Sequence, residues 1–135
     1  MTIGYTTGVY DLFHIGHLNI LRRAKEQCEY LIVGVTTDEL CYARKKKRPI
    51  VAQEERKEIV SAIKFVDRVV DQSDMDKVAA VARLGCDVVF VGSDWQGTES
   101  WRHYEEELGK IGCDVVYLQH TDGISSTILR EKCKK

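Results

Sequence analysis

His14 and His17 stand three residues apart with Gly16 between them, in the segment Thr7-Gly-Val-Tyr-Asp-Leu-Phe-His-Ile-Gly-His17. If a helix opens there, residues at that spacing share a face, and both rings turn the same way. A helix N-terminus offers free N–H groups and the positive end of its dipole, which together favour an anion. Gly16 has no side chain, so a phosphate can approach the backbone closely. The chemistry this spacing serves is phosphate binding with imidazole donors at hand. The plainer readings are two hydrogen-bonded histidines at a helix start, or half of a zinc site. The zinc reading lacks any cluster of Cys or His to complete it.

Three further segments carry residue types suited to the same task. Arg44-Lys-Lys-Lys-Arg48 is a basic run. Such runs are by default solvated loops, yet lysine is a point charge on a long stem and can close over phosphates. In Gly92-Ser-Asp-Trp95 the glycine permits close approach of a ligand, and Asp94 can accept a hydrogen bond from it. Trp95 offers an aromatic wall or simply packs. In Thr121-Asp-Gly-Ile-Ser-Ser-Thr127, three hydroxyl residues in a row, Ser125, Ser126 and Thr127, follow Gly123 and Ile124. Hydroxyls and free N–H groups at a helix start make an anion site, and capping alone explains only one of the three.

These segments need elements to hold them. Apolar runs predict strands at Ile3–Thr7, Tyr30–Val35, Val66–Val70, Val88–Val91 and Asp114–Leu118. Helical spacing predicts helices at Ile15–Gln27, Gln53–Ile63, Met75–Leu84, Thr98–Lys110 and Ser125–Lys132, with a short helical turn opening at Thr37. Strands alternating with helices imply βαβ units, a parallel sheet and right-handed crossovers. The expected fold is α/β: a single doubly wound, Rossmann-like, five-stranded parallel sheet. Ligands of such sheets bind at the carboxyl ends of the strands, where each of these segments begins.

The 135 residues suit one domain spanning 1–135. A hydrophobic fraction of 44% with 30% charged residues is globular, and no apolar run approaches a bilayer span. The net charge of −1 lacks the basic excess of a nucleic-acid protein, so neither nucleic acid nor membrane insertion is expected. No signal-peptide pattern is visible. Cys28, Cys41, Cys86, Cys113 and Cys133 are widely spaced and form no Cys-x-x-Cys pair, which argues for reduced thiols and a cytoplasmic location.

The motifs Gly8–His17, Thr37-Asp-Glu39, Glu55-Arg56, Val66-Asp67, Gly92–Trp95 and His120–Thr127 run along nearly the whole chain. Together they resemble the small cytidylyltransferases of the HxGH nucleotidyltransferase superfamily, bacterial glycerol-3-phosphate cytidylyltransferases most nearly. The resemblance implies joining CTP to a phosphorylated small alcohol, giving a CDP-alcohol and pyrophosphate. It implies His14, His17, Lys45 and Arg56 as catalytic residues. It puts Thr7, Gly8, Tyr10, Asp11, Gly16, Gly92, Asp94, Trp95, Thr121, Gly123, Ile124, Ser125, Ser126 and Thr127 around the nucleotide. Asp38, Lys45, Lys47 and Lys64 fall to the acceptor, although a local ion pair is the plain reading of Arg56 among its glutamates. Arg44, Lys46 and Arg48 are left solvated. Mg²⁺ is implied as a companion of the phosphates, with Asp11 the one carboxylate to consider, and no resident metal site is expected. A homodimer is implied too.

This chain departs from the family pattern at several points. His120 stands in place of arginine, Asp122 of glutamate, Val9 of threonine and Lys64 of arginine, and the stretch from Gly97 to Gly112 is longer. Glycerol 3-phosphate leads as acceptor, with another phospho-polyol, phosphoethanolamine or phosphocholine behind it. For choline, Tyr10, Trp95, Trp101 and Tyr104 could supply an aromatic cage. An adenylyltransferase of the same superfamily and a non-catalytic nucleotide-binding module are the competing readings.

Overall fold

The computed structural model describes residues 1–119. The expected last helix and the 121–127 segment lie outside the described residues. Five parallel strands form one sheet: β1 (Ile3–Gly8), β2 (Tyr30–Thr36), β3 (Arg68–Gln72), β4 (Val88–Gly92) and β5 (Asp114–Leu118). Their order is β3-β2-β1-β4-β5. Between them run α1 (Ile15–Glu26), α2 (Asp38–Lys45), α3 (Gln53–Ser61), α4 (Lys77–Leu84) and α5 (Glu99–Lys110).

The period of two along the strands divides the core into two layers. Leu31, Val33 and Val35 of β2, with Val88 and Phe90 of β4, face Leu21 and Ala24 of α1 and Val60 of α3. Tyr5, Ile32 and Val89 point the other way, to Ala80 and Val81 of α4 and Trp101 and Leu108 of α5. Both faces are thus covered, as the uninterrupted apolar run of β2 requires. Cys86 and Cys113 pack in the second layer, and burial pushes their thiols up to about 12 and about 11, so neither is a thiolate near neutrality.

The helix starts carry their own caps. Thr37, Asp76 and Thr98 accept from the N–H groups of Leu40, Ala79 and Trp101. Gly85 ends α4 at φ 70°, in the left-handed region. Several boundaries shift by one or two residues from expectation, and three of the differences have a local reason. The helical turn at Thr37 continues for eight residues, so Arg44 and Lys45 lie in the last turn of α2 and not in a loop. The third strand begins at Arg68, because Asp67 is a junction: its N–H donates to Leu31 O and its carboxylate accepts from Leu31 N. The fourth helix begins at Lys77, one residue past its Asp76 cap.

Candidate active site

The strand order reverses at β1, so the crevice between β1 and β4 is the switch point of the sheet. Those two strands pair only at Gly4–Val88 and Tyr5–Val89. Beyond that, the Thr6 hydroxyl donates to Phe90 O at 3.0 Å, and the strands run on to Gly8 and Gly92 without a ladder. A cleft of about 490 Å³ opens there. Its floor is Thr7, Gly8 and Val9 on one side and Val91 and Gly92 on the other, with Asp94 and Trp95 beyond. A Cβ on Gly8 would lie 2.9 Å from the Tyr10 ring, so the tyrosine can fold back only against glycine.

The turn from β1 to α1 is strained. Tyr10 (φ 56°) and Leu12 (φ 51°) both occupy the left-handed region, at about 1–3 kcal/mol each. Tyr10 is buried in the core, and burial raises its phenol well above the usual range. The turn delivers the histidine pair. The Gly16 N–H donates to His14 Nδ1 at 3.0 Å, and the His14 N–H donates to His17 Nδ1 at 3.2 Å. The rings stack with centroids 3.9 Å apart. With Nδ1 an acceptor in each, the neutral rings carry their proton on Nε2. His14 Nε2 is buried and has no partner among the described residues. Burial lowers both imidazoles, His17 to about 4 with a further push from His14. In the free protein the pair is therefore neutral at pH 7, two N–H donors in place of the imidazolium that adjacent phosphates would favour. His17 lines the cleft.

The charged residues that line the cleft are mostly basic. Arg44, Lys45, Lys47 and Arg48 line it from α2 and the segment after it, while Lys46 turns away at φ 58°. All five are exposed. Lys77 is different. It is 7% exposed and forms no salt bridge among the described residues. Its ammonium donates to Thr7 Oγ1 at 3.2 Å and stands over the rings of Trp101 (5.7 Å) and Tyr104 (6.0 Å). Burial, and then the nearby Arg44, lowers it to about 8.

The comparisons with known proteins bear directly on this geometry. Residues 5–132 match the model of the family described as cytidylyltransferase-like. The chain belongs to that family. A glycerol-3-phosphate cytidylyltransferase of Staphylococcus aureus is 38% identical over 94% of this chain and 91% of its own length. An FAD synthase of Archaeoglobus fulgidus is 34% identical over 84% of this chain and 81% of its own. Among solved structures, a lipopolysaccharide core biosynthesis protein of Thermoplasma volcanium superposes with a TM-score of 0.74 at 26% identity, covering 90% of this chain and 97% of that one.

Several residues of this cytidylyltransferase-like chain sit away from the positions expected of them. Arg56 is wholly buried and does not line the cleft. Its guanidinium donates to Val51 O (2.9 Å), Val9 O (2.7 Å) and Thr36 O (2.8 Å) and pairs with Asp38. It braces the ends of β1 and β2. Asp38, expected at the acceptor, is that brace's counter-ion and lies outside the cleft lining. Asp11, weighed as a metal ligand and expected at the nucleotide, does line the cleft, and it accepts from Ile50 N (2.8 Å) and Val51 N (2.9 Å), which anchors the end of the basic segment. Lys64 lies outside the cleft with its ammonium over the Phe65 ring. Gly16 and His14 border the cleft through the helix start without lining it. Arg44 and Arg48, expected to be merely solvated, are exposed and yet line the cleft. Lys77 was missed. The available signal was its spacing to Ala80 and Val81, the buried residues three and four positions on.

Proposed function

We propose that the protein transfers the cytidylyl group of CTP to the phosphate of a small phosphorylated alcohol, glycerol 3-phosphate first among them. The observation that carries this is Lys77, a buried cation with no carboxylate partner among the described residues, facing a cleft that His17 and the basic segment line from the other side. Two cationic regions suit two phosphate-bearing substrates. The identity and coverage of the S. aureus relative support glycerol 3-phosphate as the acceptor.

The acceptor's phosphate oxygen attacks the α-phosphorus of CTP. The new P–O bond forms as the bond to the bridging oxygen breaks, and pyrophosphate departs with that electron pair. The nucleophile is already ionised near pH 7, so no general base is required. The catalysis is positioning plus donors aimed where negative charge grows. His14 and His17 present Nε2–H groups for that role, and Lys77 holds the acceptor phosphate. Lys45 and Lys47 close on the triphosphate. Mg²⁺ would arrive on the nucleotide's phosphates. Bound there, it would neutralise phosphate charge.

The test is pyrophosphate release from CTP or ATP, with Mg²⁺, across glycerol 3-phosphate, phosphoethanolamine and phosphocholine. Release with CTP and glycerol 3-phosphate is expected. Release with ATP in its place, or none from folded protein with CTP across the panel, overturns the proposal. The family resemblance also supports a homodimer. Sedimentation at twice the 15.4 kDa chain mass is expected, and a monomer refutes it.

A further inference from the structure

Sequence reading left Trp101 and Tyr104 available as walls of a cage for a cationic acceptor such as phosphocholine. The structure fills that place with the protein's own cation. The Lys77 ammonium lies 5.7 Å from the Trp101 ring centroid and 6.0 Å from that of Tyr104. The two rings are 5.0 Å apart and tilted. Trp101 is buried in the second core layer. Tyr104 is pinned by its hydroxyl, which donates to Met75 O at 3.0 Å, two residues before Lys77. Tyr10 and Trp95 line the same cleft, but Tyr10 belongs to the opposite core layer and Trp95 is exposed, and the Lys77 ammonium stands over Trp101 and Tyr104. An aromatic face attracts a cation and has no oxygen to neutralise it. A carboxylate in the same position would hold the ammonium equally well and cancel it for a ligand.

We infer that Trp101 and Tyr104 are positioning residues that set acceptor specificity: they hold Lys77 in the cleft with its charge unspent, so the site takes phosphomonoesters of uncharged alcohols and rejects those that carry a cationic head group. The inference rests on the proposed cytidylyl transfer, and it assigns the aromatic pair, carried on the longer 97–112 segment, a role in choosing the acceptor. A cationic head group would have to share this corner with an ammonium that already occupies both rings.

The experiment compares wild type, Trp101→Leu, Trp101→Phe and Lys77→Met in steady-state turnover with glycerol 3-phosphate and phosphocholine at saturating CTP, with circular dichroism to confirm folding. Wild type is expected to use glycerol 3-phosphate at least 100-fold better than phosphocholine. Trp101→Leu raises the KM for glycerol 3-phosphate at least fivefold with kcat and the KM for CTP within about twofold, and Trp101→Phe restores it. Lys77→Met vacates the rings, and the preference over phosphocholine falls at least tenfold. An unchanged acceptor KM in folded Trp101→Leu, a wild type that prefers phosphocholine, or a Lys77→Met that loses both acceptors in proportion overturns the inference while leaving cytidylyl transfer standing. A wild type that releases no pyrophosphate from CTP with any acceptor overturns the reaction itself.

Discussion

Among the described residues two cations are buried at this edge of the sheet, and their surroundings differ in kind. Arg56 donates to three backbone carbonyls and pairs with Asp38, so its donors are spent inside the protein. Lys77 has, among the described residues, one hydroxyl and two aromatic faces as its partners. A buried charge is costly unless it is paired, and a site that leaves one unpaired keeps its attraction for a ligand. Charge and burial alone do not separate a brace from a binding group; what each donor already touches does. By that measure Arg56 holds the frame together and Lys77 serves the acceptor.

Breaking each kind of donor separates the two roles. The largest effect is expected where donors are aimed and unspent. His14→Ala and His17→Ala each lower kcat about 100- to 1,000-fold with an unchanged circular-dichroism spectrum; near-normal turnover would remove the pair from the reaction. Next comes the spent cation. Arg56→Met leaves carbonyls and a carboxylate without their donor, a loss of about 3–5 kcal/mol, read in calorimetry as a Tm lower by roughly 10–20 °C. A variant melting with the wild type would return Arg56 to the ligand-binding groups.

The pH dependence is smaller. His17 titrates near 6.5 when unfolded and about 4 when folded. Between those values the unfolded chain binds a proton that the native ring refuses, so stability falls as pH drops below 6.5. The loss is on the order of 2 kcal/mol by pH 5. Urea unfolding at pH 7 and pH 5 should show it in wild type and show it diminished in His17→Gln; equal slopes would place the loss elsewhere. Smallest are the exposed lysines. Lys45→Ala and Lys47→Ala each cut kcat/KM about tenfold, the worth of one charge-assisted contact. Lys46→Ala, outside the cleft, changes it little, and an equal loss at all three would mean that only the net charge of the segment matters.

The fold was legible because each strand and helix states itself locally: the run Tyr30–Val35, the caps at Thr37 and Thr98, the glycine closing α4. The histidine pair was legible for the same reason, since its geometry needs only three residues and a helix start. The turn before it was not, because Tyr10 and Leu12 hold left-handed φ values that their side chains disfavour, and only the surrounding fold enforces them. The helical pattern alone does not separate Arg56, which the Glu55-Arg56 motif singles out, from Lys77, which no motif marks. Each shares a helix face with buried apolar residues, Val60 in one case and Ala80 and Val81 in the other. The partners that divide them come from elsewhere in the chain: Val9, Thr36 and Asp38 for Arg56, and Thr7, Trp101 and Tyr104 for Lys77.

The most direct test is Lys77→Met, measured for the acceptor KM at saturating CTP, the KM for CTP, and Tm. Burial holds the Lys77 ammonium down at about 8, so at pH 7 the native state bears the cost of a charge it disfavours, and removing it should raise Tm by a few degrees. The account predicts an acceptor KM at least 100-fold higher, about 3 kcal/mol of lost charge-assisted binding, with the KM for CTP within about twofold. An unchanged acceptor KM, or equal losses for CTP and acceptor in a destabilised protein, would contradict it.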